Sequence, residues 1–397
     1  MDAVLIKQGG NMRNCAGLLN VLEDWQNREV YDFIKSKANS KDFFIGIRDN
    51  YLNIYYKCAS VVLISIKKNK LEFKTHYKYL GLQDSEMLKK KPYIIISFEE
   101  LLRNFEKMLV NIFSIQLCQN TDSGNHIRRE KICQQWIVNE ANARQESDWY
   151  YVDLEYTMQG VPTGRFDMIA VSKKKVDGKH RVALIELKVN DSSYAGMGGS
   201  RKKLHEKEFK LILAKKDELY NSDFESLKFG SGIVGHIADY LRFLHKKIYY
   251  DTLKQEIIDI IKCHKRLGIL KDPGLSLISS VNDLADKPEV HIVSYTKVPD
   301  DKEPSNVAVP IKTLKESMYK YLFNEPKNTV KRTSGYCLEN CINGANINGF
   351  NTLKDELFTD KNEIHCVQDV KGEIFDFYFT FVDATRSDAW NCLPKIK

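Results

Sequence analysis

The chain has 397 residues, 43% of them hydrophobic and 28% charged, an ordinary globular balance. Lys and Arg number 60 against 53 Asp and Glu, a net charge of +7 that permits a polyanionic partner without demanding one. No run of about 18 apolar residues occurs, so no helical membrane span is expected, and the opening MDAVLIKQGGNMRN lacks an apolar signal-peptide core. At roughly 100–200 residues per domain, the length suggests two or three domains. Nine cysteines are scattered with no tight framework, which suits reduced thiols and a cytoplasmic setting.

The first region runs to about residue 120. AGLLNVLEDWQNREVYDFIKSK has helical spacing, and FFIGIRDNYLNIYYKCASVVLISIKKNKLEFKTHYKYL reads as successive strands broken at residues 49–50 and 67–70. FEELLRNFEKMLVNIFSIQL is a further helix. This is an α+β unit with no evident chemistry of its own.

The second region spans 121–268. Asp122 or Ser123 is placed to cap a helix over NHIRREKICQQWIVNEANARQ, followed by a strand in WYYVDLEYTM and a turn in QGVPTG. GRFDMIAV (164–171) and VALIELKV (182–189) then read as two buried strands. A Gly-rich connection, YAGMGGSRKK, leads to helical stretches over KLHEKEFKLILAKKDELY, SGIVGHIADYLRFLHKKIYY and LKQEIIDIIKCHKRLG. The third region, 269–397, carries a strand in EVHIVSYTKV, a helix in IKTLKESMYKYLF and an aromatic strand in IFDFYFTFVDA.

The two buried strands hold an Asp, a Glu and a Lys. Side chains alternate along a strand, so Ala183, Ile185, Leu187 and Val189 form one wholly apolar face. Val182, Leu184, Glu186 and Lys188 form the other, apolar at its beginning and ionic at its end. Asp177-Gly178 is a strong turn pair. A hairpin centred on it sets Asp167 opposite Lys188, and a turn shifted by one sets Asp167 opposite Glu186. In every nearby register the three polar groups meet at one end. Two carboxylates in a partly dry site repel each other. A hard divalent cation removes that repulsion, acidifies a bound water and clamps a phosphoryl oxygen. A neighbouring Lys orients that water or neutralises developing charge.

Asp167 and Glu186-Leu-Lys188 resemble the core of the PD-(D/E)XK nuclease superfamily, with Phe166 where Pro often precedes the Asp. The resemblance covers roughly residues 125–250. It implies an α/β fold, a restriction-endonuclease-like mixed sheet flanked by helices in the middle of the chain, with α+β N- and C-terminal regions. It implies that Asp167 and Glu186 hold Mg²⁺ (Mn²⁺ substituting) and that Lys188 assists the attacking water. It also calls for an acid on a preceding helix. Glu130 fits, since Cys133, Trp136 and Ile137 would anchor its helix, while Glu140 and Glu155 are rivals. One branch of the superfamily carries Gln-x-x-x-Tyr on the helix after the Lys strand, and His236 and Tyr240 match that spacing with His for Gln. Ile233, Ile237, Leu241, Leu244 and Ile248 would form the apolar stripe of that helix.

Basic clusters lie at Lys173–Lys175, Arg201–Lys203 and Lys246–Lys247, and Arg201, Lys202 and Lys203 are the best placed to bind substrate phosphates. The expected partner is nucleic acid, DNA in preference to RNA, with no membrane. The flanks could bind substrate, sense a small-nucleotide activator or mediate a homodimer. Such an architecture resembles restriction or phage-defence effectors, a setting expected by analogy. The rival readings are a catalytically silent scaffold or nucleic-acid-binding module, and a nuclease gated by a ligand on its flanks. YAGMGGSRKK does not fit a Walker phosphate loop. Cys337 and Cys341 with His365-Cys366 could make a zinc site, but their spacing is irregular and ordinary core cysteines are the favoured reading.

Overall fold

The computed structural model describes residues 13, 15–117, 129–161, 163–190, 194, 232–299, 306–323, 348–370 and 372–396. The protein is of mixed α/β class, with two sheets and several helices. It divides into two compact units, each drawn from two stretches of chain: residues 1–154 with 254–283, and residues 155–253 with 284–397. The stretch 121–268 is thus shared between them.

In the first unit, α1 (Ala16–Leu22) and α2 (Arg28–Ala38) are separated where the Asp24 side chain accepts the Gln26 N–H and opens a short 3₁₀ turn. Five antiparallel strands follow in sequence order: β1 (Phe43–Arg48), β2 (Tyr51–Tyr56), β3 (Ala59–Lys67), β4 (Lys70–His76) and, after the short helix α3 (Glu86–Lys90), β5 (Tyr93–Ile96). Lys57-Cys58 and Lys68-Asn69 both take positive φ, the backbone that a two-residue hairpin turn demands. The breaks expected at 49–50 and 67–70 are both turns. Next comes α4 (Phe98–Leu117), opened by a reciprocal cap in which the Ser97 hydroxyl accepts the Glu100 N–H and the Glu100 carboxylate accepts the Ser97 N–H. The last complete helix of this stretch is α5 (Arg129–Ala143); the proposed caps Asp122 and Ser123 lie outside the described residues.

The six-stranded sheet has the order β10-β11-β9-β8-β7-β6. Its strands are β6 (Trp149–Thr157), β7 (Arg165–Val176), β8 (Lys179–Val189), β9 (Glu289–Tyr295), β10 (Glu363–Val370) and β11 (Glu373–Val382). β7 and β8 are antiparallel, β8 and β9 parallel, β9 and β11 parallel, and β11 and β10 antiparallel. Between β8 and β9 the chain forms α6 (Ile233–Leu244) and α7 (Lys247–Arg266), and between β9 and β10 it forms α8 (Ile311–Leu322) and α9 (Asn351–Glu356). β8 has a strand on either side, and every residue from Val182 to Val189 is buried. Strands covered on both faces read as near-continuous apolar runs, so Glu186 and Lys188 stand out there.

One helix expectation is corrected. The chain breaks between α6 and α7 at His245–Lys246, so Ile248 belongs to α7 and is exposed, while Ile233, Ile237, Leu241 and Leu244 are the buried stripe of α6. No described helix is long and apolar enough to cross a membrane.

Candidate metal centre

The hairpin that carries the site turns at Asp177-Gly178, both with positive φ, as Asp-Gly predicts. At its tip, Val176 pairs with Lys179 and Lys175 with His180. Deeper in, Val171 pairs with Val182 and Met168 with Ile185. A β-bulge between Val171 and Lys175 makes the difference, inserting two extra residues into β7. Ser172 holds the bulge: its hydroxyl donates to the Lys174 carbonyl and accepts the Arg181 N–H, and its carbonyl lies 2.7 Å from His180 Nδ1. A two-residue insertion preserves the in-out alternation. It carries Asp167 from the position facing Lys188 to the position facing Glu186.

Asp167, at the start of β7, therefore shares a face with Glu186 and Lys188. Its Oδ2 accepts the Leu187 N–H at 2.8 Å, which pins it to β8, and one of its oxygens lies within 4.8 Å of one from Glu186. Glu186 and Lys188 are buried. Lys188 Nζ donates to Glu186 Oε1 at 2.6 Å. From α6, the Tyr240 hydroxyl donates to Glu186 Oε2 at 2.7 Å, and His236 Nε2 lies 3.3 Å from Oε1. The i, i+4 spacing thus aims both α6 side chains at one carboxylate. Phe166 packs against Tyr240 and Phe243, fixing the start of β7 to α6.

Burial alone would raise the Glu186 carboxyl, but His236, Lys188 and the Tyr240 hydrogen bond outweigh it and hold the group below the usual carboxylate range. The Tyr240 hydroxyl is pushed well above its ordinary value, first by burial and then by the negative charge of Glu186 and Asp167. Asp239, beside Tyr240 on α6, is raised to about 7 by burial, against the lowering pull of Arg242 and Arg165 and with Glu186 adding to the rise. Sequence inspection did not single out Asp239; its i, i+3 partner Arg242, 3.3 Å away, was the only local signal.

The donor set is all oxygen, as a hard divalent cation requires, and two oxygens on one such ion sit roughly 3–4 Å apart, compatible with the Asp167–Glu186 approach. Glu130 lies half-buried in the first turn of α5, in the first unit. Its rival Glu140 is taken by Arg144 at 2.9 Å, while Glu155 adopts left-handed backbone within β6. Arg201, Lys202 and Lys203 lie outside the described residues, as do Cys337 and Cys341. His365 and Cys366 are neighbours on β10 and point to opposite faces; Cys366 is buried while His365 is exposed and bonded to Asp376. They cannot serve one ion together. No family model matches the chain, and no curated protein and no solved structure matches it.

Proposed function

We propose that the protein is a metal-dependent nuclease that hydrolyses phosphodiester bonds of nucleic acid through a restriction-endonuclease-like unit. The observation that carries this reading is the meeting of Asp167, Glu186 and Lys188 on one face at one end of a buried hairpin. Buried ionic groups are otherwise rare and need a reason. Support also comes from the order of elements: a helix, three strands, a helix bearing both His236 and Tyr240, a further helix, and a fourth strand parallel to the one with Lys188.

Asp167 and Glu186 are proposed to hold Mg²⁺. Such an ion would lower the pKa of a bound water and offset charge on the phosphoryl oxygens. The chain's own groups do the rest. Lys188 offers ammonium N–H donors to the attacking water or to a phosphate oxygen beside Glu186. Tyr240 and His236 fix the orientation of Glu186, and the Leu187 N–H fixes Asp167. DNA is the proposed substrate and restriction or phage defence the proposed setting, both by resemblance alone. Gating by a nucleotide gains nothing from the cavity among Phe43, Tyr150 and His264 of the first unit, whose volume of about 80 Å³ is well short of the roughly 300 Å³ of a small ligand pocket.

Incubation of plasmid, single-stranded DNA and RNA with the full chain and Mg²⁺ or Mn²⁺ tests the reading. Cleavage is expected, abolished by EDTA and reduced at least ~10²-fold in Asp167→Ala and Lys188→Ala. A wild type inert on all substrates with both metals would sink it.

A further inference from the structure

Two thiols meet in the core of the first unit. Cys15 stands at the N-terminal cap position of α1, and Cys263 lies in the last turn of α7. They are 248 residues apart along the chain, yet Cys15 Sγ donates to Cys263 Sγ at 3.3 Å. Both residues are buried, and both belong to the same compact unit. A disulfide sets its sulfurs at roughly 2.05 Å, so closing the gap takes little more than an ångström of side-chain movement.

The two helices that carry the pair are tied together beside it. Arg266, in the same last turn of α7, donates to the Asn20 side-chain oxygen and to Glu23 Oε2, each at 2.8 Å. The thiols are not equivalent. The hydrogen bond from Cys15 holds the Cys263 thiol below its ordinary value against the effect of burial, and the same bond pushes Cys15 up. Thiolate is the attacking form, so Cys263 is the readier nucleophile. Access comes through α1, a seven-residue helix with no side-chain cap on its first turn. A helix that short is marginal by itself and opens locally at little cost.

We propose that Cys15 and Cys263 are a reversible redox site: a small disulfide such as oxidised glutathione converts them into an intramolecular disulfide that locks α1 to α7. The Cys263 thiolate attacks one sulfur of the oxidant, forms a mixed disulfide and expels one glutathione thiolate. Cys15, as its thiolate, then attacks Cys263 Sγ and expels the second. The two cysteine thiols are oxidised, the oxidant is reduced to two thiols, and those thiols take up the two protons released. This chemistry needs neither the metal nor the nuclease reading.

The full chain is incubated with excess oxidised glutathione, unfolded and alkylated, and its peptides are mapped by mass. A peptide joining Cys15 to Cys263 is expected, and dithiothreitol is expected to return both residues to alkylatable thiols. The oxidised chain is expected to melt about 5 °C above the reduced one, because closing so long a loop restricts the unfolded chain. Cys15→Ala and Cys263→Ala are each expected to lose both the cross-link and the rise, while the mapping of the wild type stands whether or not these variants fold. Oxidised wild type in which both residues stay alkylatable, or carry glutathione without joining, overturns the proposal. A cross-linked chain that melts no higher than the reduced one overturns it as well.

Discussion

Glu186 keeps a negative charge where burial opposes it, because Lys188, Tyr240 and His236 converge on its two oxygens. Its folded pKa lies below the unfolded one, so the charge contributes stability at neutral pH that is lost as the pH falls through the carboxylate range. Asp239 has the opposite sign. Raised from 3.8 to about 7, it binds its proton more tightly in the folded state, so stability declines as pH rises between those values. Thermal midpoints measured in EDTA across pH 3–8 should resolve the two. Glu186→Gln is expected to flatten the acid limb and to lower stability at neutral pH, since it removes the charged partner of the buried Lys188–Glu186 pair. Asp239→Asn is expected to remove the decline toward neutrality; variants with wild-type pH profiles would refute both assignments. Asp167, Glu186 and Lys188 were legible in the sequence because charged groups interrupt apolar alternation. Asp239 was not, because a lone acid on a helix carries no local signal of being buried.

At the level of the element, the bulge in β7 decides which side chain Asp167 meets. A turn centred on Asp-Gly dictates a register at the tip, and the tip keeps it; two inserted residues then reset it for the half that carries the site. Deleting both Lys173 and Lys174 should leave Asp167 opposite Glu186, with folding and metal binding retained. Deleting Lys173 alone shifts alternation by one and turns either the tip or the polar end to the wrong face. That variant is expected to lose Mn²⁺ binding by calorimetry and to unfold at lower temperature. If both deletions behave alike, the bulge does not set the register. Other elements were legible to different degrees. α4 and β11 follow their apolar spacing closely, while β10 escaped notice because Gln368 stands on its inner face among Ile364, Cys366 and Val370. The α6–α7 break at His245–Lys246 was hidden because apolar spacing continues through it to Ile248.

Across the whole molecule, the chain leaves each compact unit and returns to it, so neither unit is a continuous segment. The strand that carries Glu186 and Lys188 depends on β9, more than 100 residues later, for the hydrogen bonds along its second edge. Residues 121–268 expressed alone would expose that edge over Ala183–Val189, an apolar template for association. Such a fragment is expected to be aggregated by size-exclusion chromatography and to bind no Mn²⁺, and a monomeric, cooperatively folding fragment would show that β9 is dispensable. The full chain supplies the missing partner.

The sequence by itself determined the strands of the hairpin, its turn and the convergence of two acids and an amine at one end, because alternation and turn chemistry are local and survive any small error in register. Only the tertiary structure decided that Asp167 meets Glu186 through a bulge and that Tyr240 and His236 close on the same carboxylate. Those outcomes depend on which distant strand and helix pack against β8, and side chains that meet only after folding leave no periodic trace along the chain.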